Sequence, residues 1–356
     1  MKFPHLNVTT LTNRLCELRC VAPIVFSLLT LLATSAFAQT DRLYPSDGNV
    51  VIGKVKSVSK GGVVLTVKGK DQNFAAGEIE RILFQGDPTE LSEGREFVMD
   101  GQYERALTEL KKLDIGALPR SEMKAEAQYY ITKSQGEMAL GGQGDLNTAT
   151  KTAMAFVTKN SDSWHFYETA KLLGDLAKAM GNFDQALRFY SSLRSAPSMD
   201  MKVESVYLIG LVKLAKDDLA GAKTDLAKVS GLKASTPGMK RLQTLAKAAL
   251  AVITAKEGNG EEAIKMVNGL IATLNPTDTE TAAQIYNAQG ASYQAIGDDE
   301  GALLAYLHTQ LMYSIDAQSH VEALKQLIEL WGKVGKPDRA AQSRAELQQR
   351  YPGLSG

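Results

Sequence analysis

An α–α superhelix of about seven helical hairpins, preceded by a small antiparallel β module, is the fold class this sequence predicts. Three observations predict it: a short glycine-to-alanine signature that recurs seven times, an abrupt change of residue pattern after Pro88, and short β-like stretches ahead of that change. The expected organisation is a leader over residues 1–38, a β module over 43–86 and a helical-repeat domain over 90–354.

The leader comes first. Arg14 and Arg19 precede an uncharged stretch centred on residues 25–32, and Ala36-Phe37-Ala38 follows, the small-x-small order a signal peptidase accepts. Cleavage after Ala38 is expected, giving an exported chain that is periplasmic or secreted. The alternative is a retained anchor, but Pro23, Ser27, Thr30, Thr34 and Ser35 dilute the apolar run. Cys16 and Cys20 precede the apolar centre and would leave with it, so the remaining chain has no thiol and no disulfide. That chain is close to neutral, which excludes a partner chosen by net charge alone and gives no sign of nucleic acid.

Between residues 43 and 86 the alternation is β. Asp47-Gly48 marks a turn and residues 50–58 read as a strand. Lys60-Gly61-Gly62 turns the chain into a second strand, on which Val63, Leu65 and Val67 share a face. Gly69-Lys70-Asp71 is a third turn, and residues 72–75 and 81–84 are further strands flanking a short Ala76-to-Ile79 turn. Short strands with tight turns suit a strongly bent small barrel, and the layout resembles an SH3-like or Sm-like module. Lys54, Lys56, Lys60, Lys68 and Lys70 lack interleaved aromatics for base stacking, so they read as solvent-side and edge lysines.

After Pro88, alanine, leucine, glutamate and lysine take over. The signature, glycine–polar–apolar–x–x–Ala, appears as Gly101 to Ala106, Gly144 to Ala149 and Gly181 to Ala186. It recurs more loosely to Ala222, Ala263, Ala302 and Ala340. The closing alanines are 43, 37, 36, 41, 39 and 38 residues apart, a period that means stacked helical hairpins. Leu173-Gly174 precedes Gly181 and Tyr190 follows Ala186 by four residues. Gly290, Tyr293 and Tyr306 stand likewise in the sixth unit, with Pro352 at the end of the seventh. On these residues the chain resembles the tetratricopeptide repeat family over about three quarters of its length. The intervals are longer than the family's, and an insertion is expected around Gly141-Gly142.

The glycine allows a tight turn between two helices. The alanine sits at the closest helix crossing, where bulk would push the axes apart, so Ala186 and Ala302 are expected to be buried. The polar residues of 337–350, from Arg339 to Arg350 and including Ser343, read as an end cap with a wet outer face.

Catalysis needs residues that converge, and none are legible. His165, His308 and His320 stand on different stretches without metal-ligand spacing and are expected at a surface or half buried. Residues 332–336 lack the spacing and the Ser or Thr of a phosphate loop, and residues 298–300 lack the alternating ligands of a calcium loop. Trp331 reads as packing and Trp164 as the staple of a helix start. No catalytic residue, cofactor or metal is expected.

What the resemblance implies is a non-enzymatic scaffold that holds a peptide or protein partner of unknown identity in its concave groove, without nucleic acid and without stable membrane insertion after cleavage. The family register puts Glu168, Lys171, Asp175 and Lys178 of the third unit on that face. Glu204, Tyr207, Leu211 and Leu214 follow from the fourth, and Gln284, Asn287, Ala291 and Gln294 from the sixth. Of these, Lys171, Asp175, Lys178, Tyr207, Leu211, Asn287 and Gln294 are the candidate binding residues, with Tyr207 and Leu211 as an exposed apolar anchor. The alternative is an accessory protein of an enzyme or carbohydrate-handling complex in the cell envelope, with the β module as its binding element.

Overall fold

The computed structural model describes residues 40–275 and 277–354, so the leader and its two cysteines lie outside the described residues. From Asp41 onward the chain forms one compact unit.

Five strands come first: β1 (Asp41–Pro45), β2 (Val51–Ser59), β3 (Gly62–Val67), β4 (Lys70–Ala75) and β5 (Ile79–Leu83). Every pairing is antiparallel, in the order β4-β3-β2-β1-β5. β4 and β5 therefore remain as edges rather than closing a barrel. The first strand was not legible as a separate element, because the alternation of five residues is too short to register. Leu43, Val63, Leu65 and Ile82 are at most 1% exposed, and all five lysines noted above are exposed. The buried face shares one core with the first helices, among them Leu91, Leu110, Met123 and Trp164. Asp41 ties the joint together. Its carboxylate accepts the N–H of Val55 at 2.8 Å and of Gln85 at 3.0 Å, and Arg120 Nη1 donates to it at 2.7 Å.

Fourteen α-helices follow among the described residues, in seven hairpins. They are α1 (Thr89–Met99) with α2 (Tyr103–Leu110), α3 (Ser121–Leu140) with α4 (Leu146–Lys159), and α5 (Phe166–Ala179) with α6 (Phe183–Ser192). Next come α7 (Met199–Ala215) with α8 (Leu219–Ser230) and α9 (Pro237–Lys256) with α10 (Gly260–Ile271). The last pairs are α11 (Thr279–Ala295) with α12 (Asp299–Met312) and α13 (Ala317–Lys333) with α14 (Pro337–Arg350). Among the described residues no helix is long and apolar enough to cross a membrane.

Each hairpin turns the same way. One residue adopts positive φ, and the next N–H reaches back to a carbonyl five residues earlier, as from Asn182 to Ala177 at 2.8 Å and from Asp298 to Tyr293 at 3.0 Å. The seven closing alanines are all buried, Ala340 the least so at 7% exposed. The glycine of the first helix does the complementary work. A Cβ on Gly174 would stand 2.3 Å from the Tyr190 ring, and one on Gly290 would stand 2.6 Å from Tyr306.

Two expectations shift. In the second hairpin the positive-φ residue is Gly142, not Gly144, and Asp145 caps α4 by accepting the Thr148 N–H at 2.7 Å. The insertion adds two residues between turn and helix. Ser343, placed by its polarity on the outer face, is buried, because α14 turns it with Ala340 and Leu347 onto α13.

The array closes on itself. The Gly353 N–H donates to the Gly142 carbonyl at 3.0 Å, and Tyr351 packs where a Gly142 Cβ would come within 3.0 Å of its Cα. His320 Nδ1 holds the Tyr351 hydroxyl at 2.8 Å. Halfway round, the Tyr207 hydroxyl donates to Gln284 Oε1 at 3.1 Å, linking α7 to α11.

Candidate functional site

Helical periodicity builds a cavity of about 200 Å³ between α3, α5 and α7. Tyr129, Lys133 and Glu137 line it from α3, one turn apart. Glu168, Lys171 and Asp175 line it from α5 at the same kind of spacing, and Glu204 enters from α7. Leu172, Leu193 and Met201 give it apolar walls.

Lys171 Nζ lies 3.1 Å from Asp175 and 3.9 Å from Glu204. The Asp175 charge, with help from Glu204, holds the Lys171 ammonium protonated against burial. The Tyr190 hydroxyl donates to the other Asp175 oxygen at 2.6 Å, so that carboxylate is spent on both sides. Glu137 and Glu204 stand differently. Burial pushes both carboxyls above the usual range, with Lys171 opposing in each case. Among the described residues the Glu137 carboxylate has no hydrogen bond or ion pair.

Glu168 connects the cavity to a buried polar cluster beneath it. His165, at 2% exposed, faces Glu168 at 2.7 Å through Nδ1 and Glu126 at 3.0 Å through Nε2. Its ring is stacked on Tyr129 at 3.4 Å, and Trp164 Nε1 donates to Glu126 at 2.9 Å. Burial by itself would lower the His165 pKa, but the two carboxylates outweigh it and raise it. The expectation of a surface or half-buried histidine is therefore wrong here, and wrong for His320, which is also fully buried. His308 is exposed, stacked on Tyr286 at 4.5 Å. Among the described residues no three His, Cys, Asp or Glu side chains are grouped to hold a metal.

The candidate binding residues divide. Lys171 and Asp175 meet in the cavity together with Glu168 and Glu204. Lys178 is half buried and within electrostatic reach of Glu322 on α13. Tyr207 is 5% exposed, not the exposed anchor its position predicts, because the closing array brings Gln284 over it. Leu211 packs half buried beside it. Asn287 Nδ2 donates to the Ser319 carbonyl at 2.9 Å. The Gln294 amide donates to Gln326 at 2.9 Å and accepts from Tyr306 at 2.9 Å. The α3 contribution was missed, because the insertion in the second unit hid its register. The spacing of Tyr129, Lys133 and Glu137 was the available signal.

No protein-family model matches the chain, and no curated protein does. Solved structures do. A tetratricopeptide repeat protein from Parabacteroides merdae superposes with a TM-score of 0.50 at 16% identity, over 73% of this chain and 91% of that one. A Rap protein complexed with competence and sporulation factor gives 0.51 at 13% identity, over 75% of each chain. The fold is tetratricopeptide-like.

Proposed function

We propose that this chain is an exported, non-enzymatic interaction scaffold that holds a segment of a protein partner against the concave side of its repeats. The observation that carries the reading is the cavity between α3, α5 and α7. It sits on the first-helix face of consecutive hairpins and joins apolar walls to charges that the fold itself does not neutralise. The repeats supply a surface rather than a reaction centre, and the Rap structure, itself a complex, offers a precedent for the fold holding a ligand. Export rests on the order of charge, apolar run and small-x-small in residues 14–38.

The test is capture of partners from the exported fraction by the intact protein, compared with Glu137→Lys, at a lining carboxylate that the fold leaves unpaired, and with the outer-surface variant Lys265→Glu. The reading expects the first to lose its partner at least tenfold and the second to keep it. Equal capture by both would move attention to the sheet.

A further inference from the structure

We propose that the cavity between α3, α5 and α7 is a receptor for an organic cation with an apolar stem, the side chain of a lysine or arginine. The inference rests on reading the concave side as a binding surface and names the chemistry it selects.

The charges decide the sign. Four carboxylates line the cavity, from Glu137, Glu168, Asp175 and Glu204, against the ammonium groups of Lys133 and Lys171. Lys171 is committed to Asp175 and Glu204 at 3.1 and 3.9 Å. His165 offsets Glu168 but shares its charge with Glu126. Lys133 reaches Glu137 and Glu168 only through space, with no ion pair among the described residues. The cavity is left with negative charge in excess and a half-buried Glu137 carboxylate without a partner. Burial disfavours the ionised forms of Glu137 and Glu204, and a bound cation would restore them.

The walls decide the shape. Leu172, Leu193 and Met201 form an apolar lining on which methylenes can lie while the charged head meets the carboxylates. An anion would face the excess negative charge, and a purely aliphatic side chain would leave Glu137 buried and unpaired.

The experiment titrates the purified protein with N-acetyl-lysine amide, N-acetyl-arginine amide, 1,5-diaminopentane and N-acetyl-norleucine amide, followed by calorimetry and by amide shifts in α3, α5 and α7. Lysine or arginine amide should bind and norleucine amide should not. Whichever of amide and diamine binds more tightly tells a peptide side chain from a free polyamine. Glu137→Gln and Glu204→Gln should each weaken the cation at least tenfold with an unchanged melting temperature. No cation binding, norleucine binding as well as lysine, or Gln variants that bind like wild type would each overturn the assignment. If a captured partner depends on the concave face while these titrations are silent, the scaffold reading stands and the cation site falls. If capture ignores every concave variant, the scaffold reading falls and the titrations still decide the cavity.

Discussion

The sheet with the first three hairpins and the four hairpins that follow are stabilised by different physics. In the first region Asp41, Arg95, Glu126 and His165 are at most 2% exposed and all are paired. In the second, the buried ionisable groups among the described residues are Asp225, answered by Lys213 and Lys228, and His320, whose burial favours its neutral form. There the clusters are mainly alanine and aliphatic side chains, with Tyr306 among them, fitted by shape. The difference follows from what each region joins. Like hairpins stack on like hairpins, and small residues at the crossings set the distance. A sheet has no repeat to match against a helix, so directional contacts from Asp41 and from Asp87 to Arg95 fix its seat. Buried ions of this kind are costly to break rather than strongly stabilising in themselves.

The largest effect expected from this contrast is at Arg95. Its Nη2 donates to Asp87 at 2.8 Å with the side chain fully buried. Arg95→Ala would strand the Asp87 carboxylate, at a cost of about 3–5 kcal/mol. In the second region Lys213→Ala removes a 2.6 Å pair but leaves Lys228 on Asp225, so about 1 kcal/mol or less is expected. Urea unfolding of both variants measures the ratio. Equal losses would erase the distinction between the two regions.

The same contrast explains what the sequence disclosed. Six of the seven hairpins carry turn residue and closing alanine within six positions, and the second, from Gly142 to Ala149, within eight, so seven units were countable from local pattern. Pairs such as Glu126 with His165, Asp41 with Arg120 or Tyr207 with Gln284 lie far apart in the chain and leave no periodic trace. Lys171 and Asp175, one turn apart on α5, meet in the cavity as their spacing alone implies. The exposure expected of Tyr207 failed, because the curvature that brings α11 over α7 is summed over several hairpins, which no single unit encodes.

The two buried histidines sharpen the comparison through pH. Glu126 and Glu168 raise the His165 pKa despite burial. Its contribution is full below the unfolded value of about 6.5 and is lost as pH climbs through the raised folded value. His320 is pushed down to about 4, chiefly by burial and then by Arg350, with Glu346 opposing. Its contribution is present above about 6.5 and is lost as pH falls toward 4. Unfolding free energies followed across the acid and alkaline sides of the histidine range should therefore show His165→Gln flattening the alkaline side and His320→Gln the acid side. Both variants flattening the same side would mean that the two corners do not differ in charge.

The smallest effect is also the cleanest test of the repeat region's own rule. Six of the seven hairpin turns use glycine at φ between +70° and +91°, whereas the fourth uses Asp217 at +61°. A side chain there costs roughly 1–2 kcal/mol, less for aspartate, which tolerates this conformation better than most residues. Asp217 returns something through Lys256 Nζ at 3.1 Å, but with its side chain 77% exposed that pair is worth at most about 1 kcal/mol. Glycine adds about 0.5–1 kcal/mol of unfolded-state entropy. Asp217→Gly should accordingly raise stability by a few tenths of a kcal/mol. Gly258→Ala, at φ +91° with nothing within 4 Å of the new Cβ, should lose about 1 kcal/mol from backbone strain alone. Measured together by urea midpoints, a gain at one turn and a loss at the next would establish that the repeat turns are set by backbone conformation. A loss at Asp217 larger than that at Gly258 would show instead that the exposed pair to Lys256 outweighs the strain.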